Sequence, residues 1–244
     1  MSKDLAFCTI RTKINKDKHN IDTNKTNEKD IAIIGMSGKF AESSDINTFW
    51  DKIKSGSDCV RPITEQRRKD SELLIKLMCK SAEKTEYFDC GYMDDIDKFD
   101  NNFFGVSPKE ASLMDPNQRL FLETAWSAIE DAGYLKSIVG SKTSIYVGFS
   151  VDQLNNYKNF VNSIEPENMS IAYAGNVTSV IASRLSYLLD LKGSGIVVDT
   201  SCSSSLVAVH LACQELRRGE CDMAIVCFWQ HKFLAFRNLI FRAP

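Results

Sequence analysis

One cysteine in this chain stands where nucleophilic chemistry could be done. Cys202 lies in Asp199-Thr-Ser-Cys-Ser-Ser-Ser-Leu-Val-Ala-Val-His210, just after the β-branched run Gly195-Ile-Val-Val198. That run follows Gly193 and reads as a buried strand. From Ser203 to Arg217 the residues fit a helix, and Arg217, Arg218 and Gly219 stop it. Cations suit a last helical turn, and glycine suits the position after it. Cys202 is thereby placed at a strand-to-helix turn, where the partial positive charge of a helix N-terminus favours thiolate over thiol. A thiolate is the form that attacks a thioester carbonyl. The competing reading is that a free cysteine is usually an inert, buried small hydrophobe. The flanking serines, the sharp turn and the helix start count against that here.

The other reactive side chains are scattered. Cys8, Cys59, Cys79, Cys90, Cys213, Cys221 and Cys227 show no CxxC spacing, so no zinc or other metal site is indicated. Eight cysteines in 244 residues, without a secretory apolar region, fit reduced thiols in a cytoplasm better than a disulfide framework. The three histidines are His19, His210 and His231. His210 follows Cys202 by about two helical turns at ~5.4 Å per turn, too far for direct proton exchange with its sulfur. It is expected to be a packed helix residue. The net charge of −2 offers no electrostatic argument for nucleic acid or a membrane surface, and no apolar run approaches the length of a membrane span. A hydrophobic content of 43% with 25% charged residues is that of an ordinary globular chain.

Positioning Cys202 requires a folded framework, and the chain supplies one from about residue 30. Residues 1–29 are dominated by Lys, Asn, Asp and Thr and read as a disordered leader. Asp30 to Ile34 reads as the opening strand. Ser44 or Asp45 can cap a helix whose Ile46, Phe49, Trp50 and Ile53 form one apolar stripe, expected in the core, with Gly56 as terminator. Residues 61–90 read as surface loop and short helix. Asp115-Pro-Asn-Gln118 is a helix start, with Gln118 expected to reach back as in a capping box. Leu122, Ala125, Trp126 and Ile129 share one face, and Gly133 ends that helix. Thr143 to Phe149 reads as a strand, Val177 to Leu189 as a helix, and Asp222 to Cys227 as a short strand. Strands alternating with helices imply an α/β fold.

The Cys202 segment closely resembles the active-site segment of β-ketoacyl synthases, especially the ketosynthase domains of polyketide synthases. Three other stretches agree, in the family's order. Ile31-Ala-Ile-Ile-Gly-Met-Ser-Gly38 is similar to the opening strand and glycine turn. Phe99-Asp-Asn-Asn-Phe-Phe-Gly-Val-Ser-Pro-Lys-Glu-Ala111, followed by Met114-Asp-Pro-Asn-Gln-Arg-Leu120, resembles the most recognisable non-catalytic block. Tyr173-Ala-Gly-Asn176 and Ser183-Arg-Leu-Ser-Tyr187 match the helix before the nucleophile strand. The resemblance runs from about residue 30 to residue 226. It divides the chain into the 1–29 leader, a partial ketosynthase N-terminal domain over 30–226, and a divergent tail over 227–244.

The resemblance implies a thiolase-like layered αβαβα architecture, here incomplete, with only the N-terminal half of the ketosynthase. It implies an acyltransferase of polyketide and fatty-acid type, with Cys202 as the catalytic acyl acceptor. No cofactor is bound directly; the substrate arm is a phosphopantetheine thioester on an acyl carrier protein. That carrier is one implied partner, and a ketosynthase-type homodimer is the other. Neither nucleic acid nor membrane is implied. The family's condensation step uses two histidines from later motifs, a His-Gly-Thr-Gly-Thr-like loop and an Asn-x-Gly-His-like segment, and neither is present in these 244 residues. The tail Cys227-Phe-Trp-Gln-His231 onward lacks glycine and does not resemble the family. Lys39 stands where arginine is frequent, and Ser201 where alanine is frequent. The alternative reading is therefore a truncated, inactive remnant or a partner-binding fragment. Its half-core would leave an open sheet and exposed apolar helix faces.

Overall fold

The structure, a computed structural model, describes residues 30–77, 87–149, 151–230 and 235–242. The 1–29 leader with His19, and likewise Cys79 and His231, fall outside the described residues. Five strands form one sheet: β1 (Ala32–Phe40), β2 (Thr143–Gly148), β3 (Gly195–Val198), β4 (Met223–Gln230) and β5 (Ala235–Arg242). Their spatial order is β1-β5-β4-β2-β3. β2 runs parallel to both β3 and β4, whereas β5 is antiparallel to β4 and β1.

Alternation along the central strands divides the core in two. Ile145, Val147, Met223, Ile225 and Cys227 face helices α4 (Pro116–Ala132) and α7 (Thr178–Leu188), contributing to a cluster with Ala125, Ile129, Ile181 and Leu185. Tyr146, Ala224 and Val226 face the opposite way, against Ala208, Ala212 and Leu216 of α8 (Ser204–Arg217). One sheet with a helical layer on each face makes three of the five layers of the αβαβα architecture. The remaining helices are α1 (Ile46–Ser55), α2 (Glu65–Leu77), α3 (Pro108–Leu113), α5 (Val151–Ile164) and α6 (Met169–Gly175). Leu113 of α3, Val161 of α5 and Ala172 of α6 make a satellite cluster.

Several local expectations need correction. The Gly35–Gly38 stretch is not a turn: β1 continues to Phe40, with an irregular register between Ile33 and Gly35. Gly35 serves packing instead, because a Cβ there would lie 2.5 Å from the Ala128 carbonyl oxygen of α4. Asp45 caps α1 as read, accepting from the Thr48 N–H at 2.9 Å. The apolar stripe of α1 is not in the core, however: the helix has no buried residue, and Ile53 is half exposed. Asp115 caps α4 by accepting from the Asn117 N–H at 2.8 Å. Gln118 does not close a capping box; its amide donates to Asn176 Oδ1 at 3.2 Å. The Asp115 N–H donates to that same oxygen at 2.8 Å, so a tertiary partner takes the place of the local one. The tail is not featureless. Residues 227–230 complete β4, and residues 235–242 form β5, the only strand that pairs with β1 among the described residues.

Candidate active site

Cys202 occupies the middle of a single 3₁₀ turn, Ser201–Ser203, between the end of β3 and the start of α8. It is exposed, unlike Cys221 and Cys227, which are buried; Cys59, Cys90 and Cys213 are intermediate. Burial pushes the Cys221 thiol up to about 11 and raises that of Cys227 further, which leaves both as inert hydrophobes at neutral pH.

The turn is built by short hydroxyl and carboxylate side chains. Ser201 has a positive φ of 54°, a left-handed conformation that strains any residue with a Cβ. Its N–H donates to Asp199 Oδ1 at 3.1 Å. The Ser203 hydroxyl donates back to the Thr200 carbonyl at 2.8 Å. The Ser204 hydroxyl accepts from the Thr200 N–H at 2.8 Å and donates to the Ser201 carbonyl at 2.8 Å. Ser203, at the N-cap position of α8, makes no side-chain cap to the helix.

Two glycines let the backbone pack closely at opposite ends of β2, the first of them against this turn. A Cβ on Gly148, at the end of β2, would sit 3.0 Å from the Ser204 carbonyl carbon. One on Gly193, before β3, would fall 2.5 Å from the Thr143 carbonyl oxygen. On the sheet-facing side of α8, Glu215 is buried against Tyr146: the Tyr146 hydroxyl donates to one carboxylate oxygen at 2.6 Å, and the hydroxyl of exposed Ser194 donates to the other at 3.0 Å. Desolvation, reinforced by this carboxylate, raises the Tyr146 phenol well above its usual range, so it stays a proton donor.

A second polar knot lies where α3, α4, α6 and α7 meet. Asn176 is fully buried. Its amide nitrogen donates to the carbonyls of Leu113 and Ala172, both at 2.8 Å, while its oxygen receives the Asp115 and Gln118 donors described above. Burial drives the Asp115 carboxyl up to about 6. Asn176 is visible in the sequence only as part of a matched segment, and no spacing points to its partners.

His210 is exposed on α8 rather than packed. Its two-turn separation from Cys202 stands, and the structure does not bring the two together. Lys39 pairs with Glu123 of α4 at 2.7 Å, so the departure from arginine there keeps a cation on β1. Among the described residues no three His, Cys, Asp or Glu side chains converge to hold a metal, and no helix is long and apolar enough to cross a membrane.

Comparison with known proteins decides the family. The family profile for the β-ketoacyl synthase N-terminal domain matches residues 28–230. The chain belongs to the β-ketoacyl synthase family. The polyketide synthase PksL of Bacillus subtilis is 40% identical over 214 residues, which are 86% of this chain and 5% of that protein. The polyketide synthase ThaG of Burkholderia thailandensis is 37% identical over 198 residues, 80% of this chain and 3% of that protein. A solved ketosynthase from module 6 of the bacillaene synthase of Bacillus subtilis superposes with a TM-score of 0.70 at 28% identity, covering 87% of this chain and 40% of that one. The fold is accordingly the ketosynthase, thiolase-like α/β fold. The chain spans a small fraction of its curated relatives and about two fifths of the solved domain.

Proposed function

We propose that this chain supplies the acyl-accepting part of a polyketide-synthase-type ketosynthase, with Cys202 as the nucleophile. The observation that carries this is an exposed cysteine on a clamped strand-to-helix turn, inside the family's Asp-Thr-Ser-Cys-Ser-Ser-Ser-Leu segment. The Cys202 thiolate attacks the carbonyl of an acyl-phosphopantetheine thioester on a carrier protein. The tetrahedral oxyanion collapses, the bond to the pantetheine sulfur breaks, and the released thiolate takes a proton from water. The orphan N–H groups at the helix start, that of Cys202 among them, are the donors available to the oxyanion.

The family's second stage is decarboxylation of a malonyl-type thioester and attack of the enolate on the acyl-cysteine. It uses the later histidine motifs, which the sequence does not contain. The activity assigned to these 244 residues is therefore loading, with condensation requiring groups from elsewhere. An acyl carrier protein in the cytoplasm is the partner for the first stage. A ketosynthase-type homodimer is the proposed assembly: β3 is an edge strand, and Ile196 on it and Tyr187 on the preceding helix are exposed.

The second reading, an inactive remnant or partner-binding fragment, is favoured by one observation. Leu206 lies one turn beyond Cys202 on α8 and is 74% exposed, an apolar surface that invites a covering chain. Incubation with an acyl-pantetheine thioester followed by intact-mass and peptide mapping separates the two. Loading is expected on Cys202 alone and absent from Cys202→Ala. A folded chain that takes up no acyl group leaves only the second reading.

A further inference from the structure

The hydroxyl of Ser204 holds both ends of the turn that carries Cys202. It is buried, at 6% exposure. It uses both of its capacities on backbone groups flanking the cysteine, accepting from Thr200 N–H and donating to Ser201 C=O. Ser201 between them is the residue with φ of 54°. A left-handed serine costs roughly 1–2 kcal/mol, so the surroundings must hold it there. Two side chains pin that peptide: Asp199 takes the Ser201 N–H, and Ser204 takes its carbonyl. Asp199 is exposed to water, whereas Ser204 lies beneath the turn, its backbone pressed against Gly148 of β2. The turn is thereby tied to the sheet through Ser204.

We propose that Ser204 is a positioning residue for Cys202: its hydroxyl locks the strained Ser201 peptide and so fixes where the cysteine sulfur meets an acyl carbonyl. The proposal rests on the reading of Cys202 as acyl acceptor. It does not require Ser204 to touch substrate. Removing the hydroxyl takes the acceptor from the Thr200 N–H and leaves the Ser201 carbonyl with only the Ser204 backbone N–H, which weakens the hold on the left-handed Ser201. A misplacement of about 1 Å can cost on the order of 10²-fold in rate.

The test uses the full chain in three forms: wild type, Ser204→Ala and Ser204→Thr. Threonine in a helix can bond the carbonyl three residues back as serine does here. The first measurement is hydrogen exchange at the Thr200 amide in the unloaded protein. Ser204→Ala should lose protection there while α8 and the central strands keep theirs, and unchanged protection overturns the clamp. The second is acyl loading across a range of acyl-pantetheine concentrations. The maximal rate should fall roughly 10- to 100-fold in Ser204→Ala, with the half-saturating concentration unchanged, and recover in Ser204→Thr. Loading of Ser204→Ala at the wild-type rate, or a loss only at subsaturating thioester, overturns it. If the wild type itself takes up no acyl group, the acyl-acceptor reading fails; the exchange measurement still decides whether Ser204 holds the turn.

Discussion

Gly148 sets how close α8 can come to the sheet, and replacing it with alanine should move Cys202. The Cβ added by Gly148→Ala would lie 3.0 Å from the Ser204 carbonyl carbon and 3.1 Å from both the Ser204 oxygen and the Ser205 nitrogen. All three are backbone atoms, so no rotamer change relieves the crowding. Carbon contacts settle near ~3.5–4.0 Å, which asks the first turn of α8 to retreat by roughly half an ångström. Overpacking of this kind costs about 1–3 kcal/mol. At roughly 2–4 °C per kcal/mol for a chain of this size, the melting temperature should drop by several degrees. The retreating turn carries Cys202, so acyl loading should fall by about tenfold, half the logarithmic loss attached to a 1 Å misplacement. Gly195→Ala is the control: its Cβ would meet Ala182 Cβ at 3.6 Å, an ordinary contact. The assay is the initial rate of acylation by an acyl-pantetheine thioester, read by intact mass, beside a thermal melt of each variant. A Gly148→Ala protein that melts and loads like wild type would refute the claim that this contact positions the turn.

Limited iodoacetamide treatment of the folded chain should label Cys202 before Cys221, Cys227 or Cys213, whose thiols burial holds protonated; peptide mapping that finds Cys221 or Cys227 labelled first overturns this. Asp115 has its folded pKa raised to about 6 by burial, above its usual 3.8, so its contribution to stability is full below pH ~4 and is lost as pH rises through ~6. Asp115→Asn keeps the cap acceptor and should flatten that part of the stability-versus-pH curve, a difference of up to ~3 kcal/mol for a two-unit shift, measured by denaturant melts across pH 4–8. Tyr146→Phe removes the 2.6 Å donor from buried Glu215 and should cost about 1–3 kcal/mol, seen as a lower melting temperature. His210→Ala should change neither stability nor loading, because the side chain is exposed and two turns from the sulfur; a loss of loading in that variant would assign His210 a role that its placement does not predict.

What is legible in the sequence is what local rules encode. The strands at 143–148 and 195–198, the start of α1 at Asp45, the start of α4 at Asp115 and the stops at Gly56 and Gly133 all follow from periodicity, caps and left-handed glycines. The turn at Cys202 is legible for the same reason, since a β-branched run ends where a helical run begins. What escapes depends on partners far apart in the chain. Gln118 carries the residue type of a capping box, yet buried Asn176, 58 residues later, takes its amide. Nothing local in the sequence marks Glu215 as buried, yet Tyr146, 69 residues earlier, donates to its carboxylate. Gly35 sits in what resembles a glycine turn, yet it is glycine because α4 leaves no room for a Cβ.

The tail makes the same point from the opposite side. Residues 235–242 lie beyond the segment that the family profile matches, which ends at residue 230. Strand pairing draws on backbone N–H and C=O groups, which every residue other than proline carries. Ala235-Phe-Arg-Asn-Leu-Ile-Phe-Arg242 has no proline or glycine, and it pairs along its length with both β1 and β4. Beyond the backbone, Arg242 donates to the Tyr134 hydroxyl and lies 5.4 Å above that ring. Among the described residues the sheet is continuous from β1 to β3, with those two strands at its open edges. The family match itself runs to residue 230, four residues into the stretch read as divergent, and β5 lies beyond it. On its outer side α8 leaves Leu206 and His210 exposed. Cys202 lies in the turn that leads into that helix, one turn before Leu206, so a chain docked on Leu206 would also lie against the proposed nucleophile.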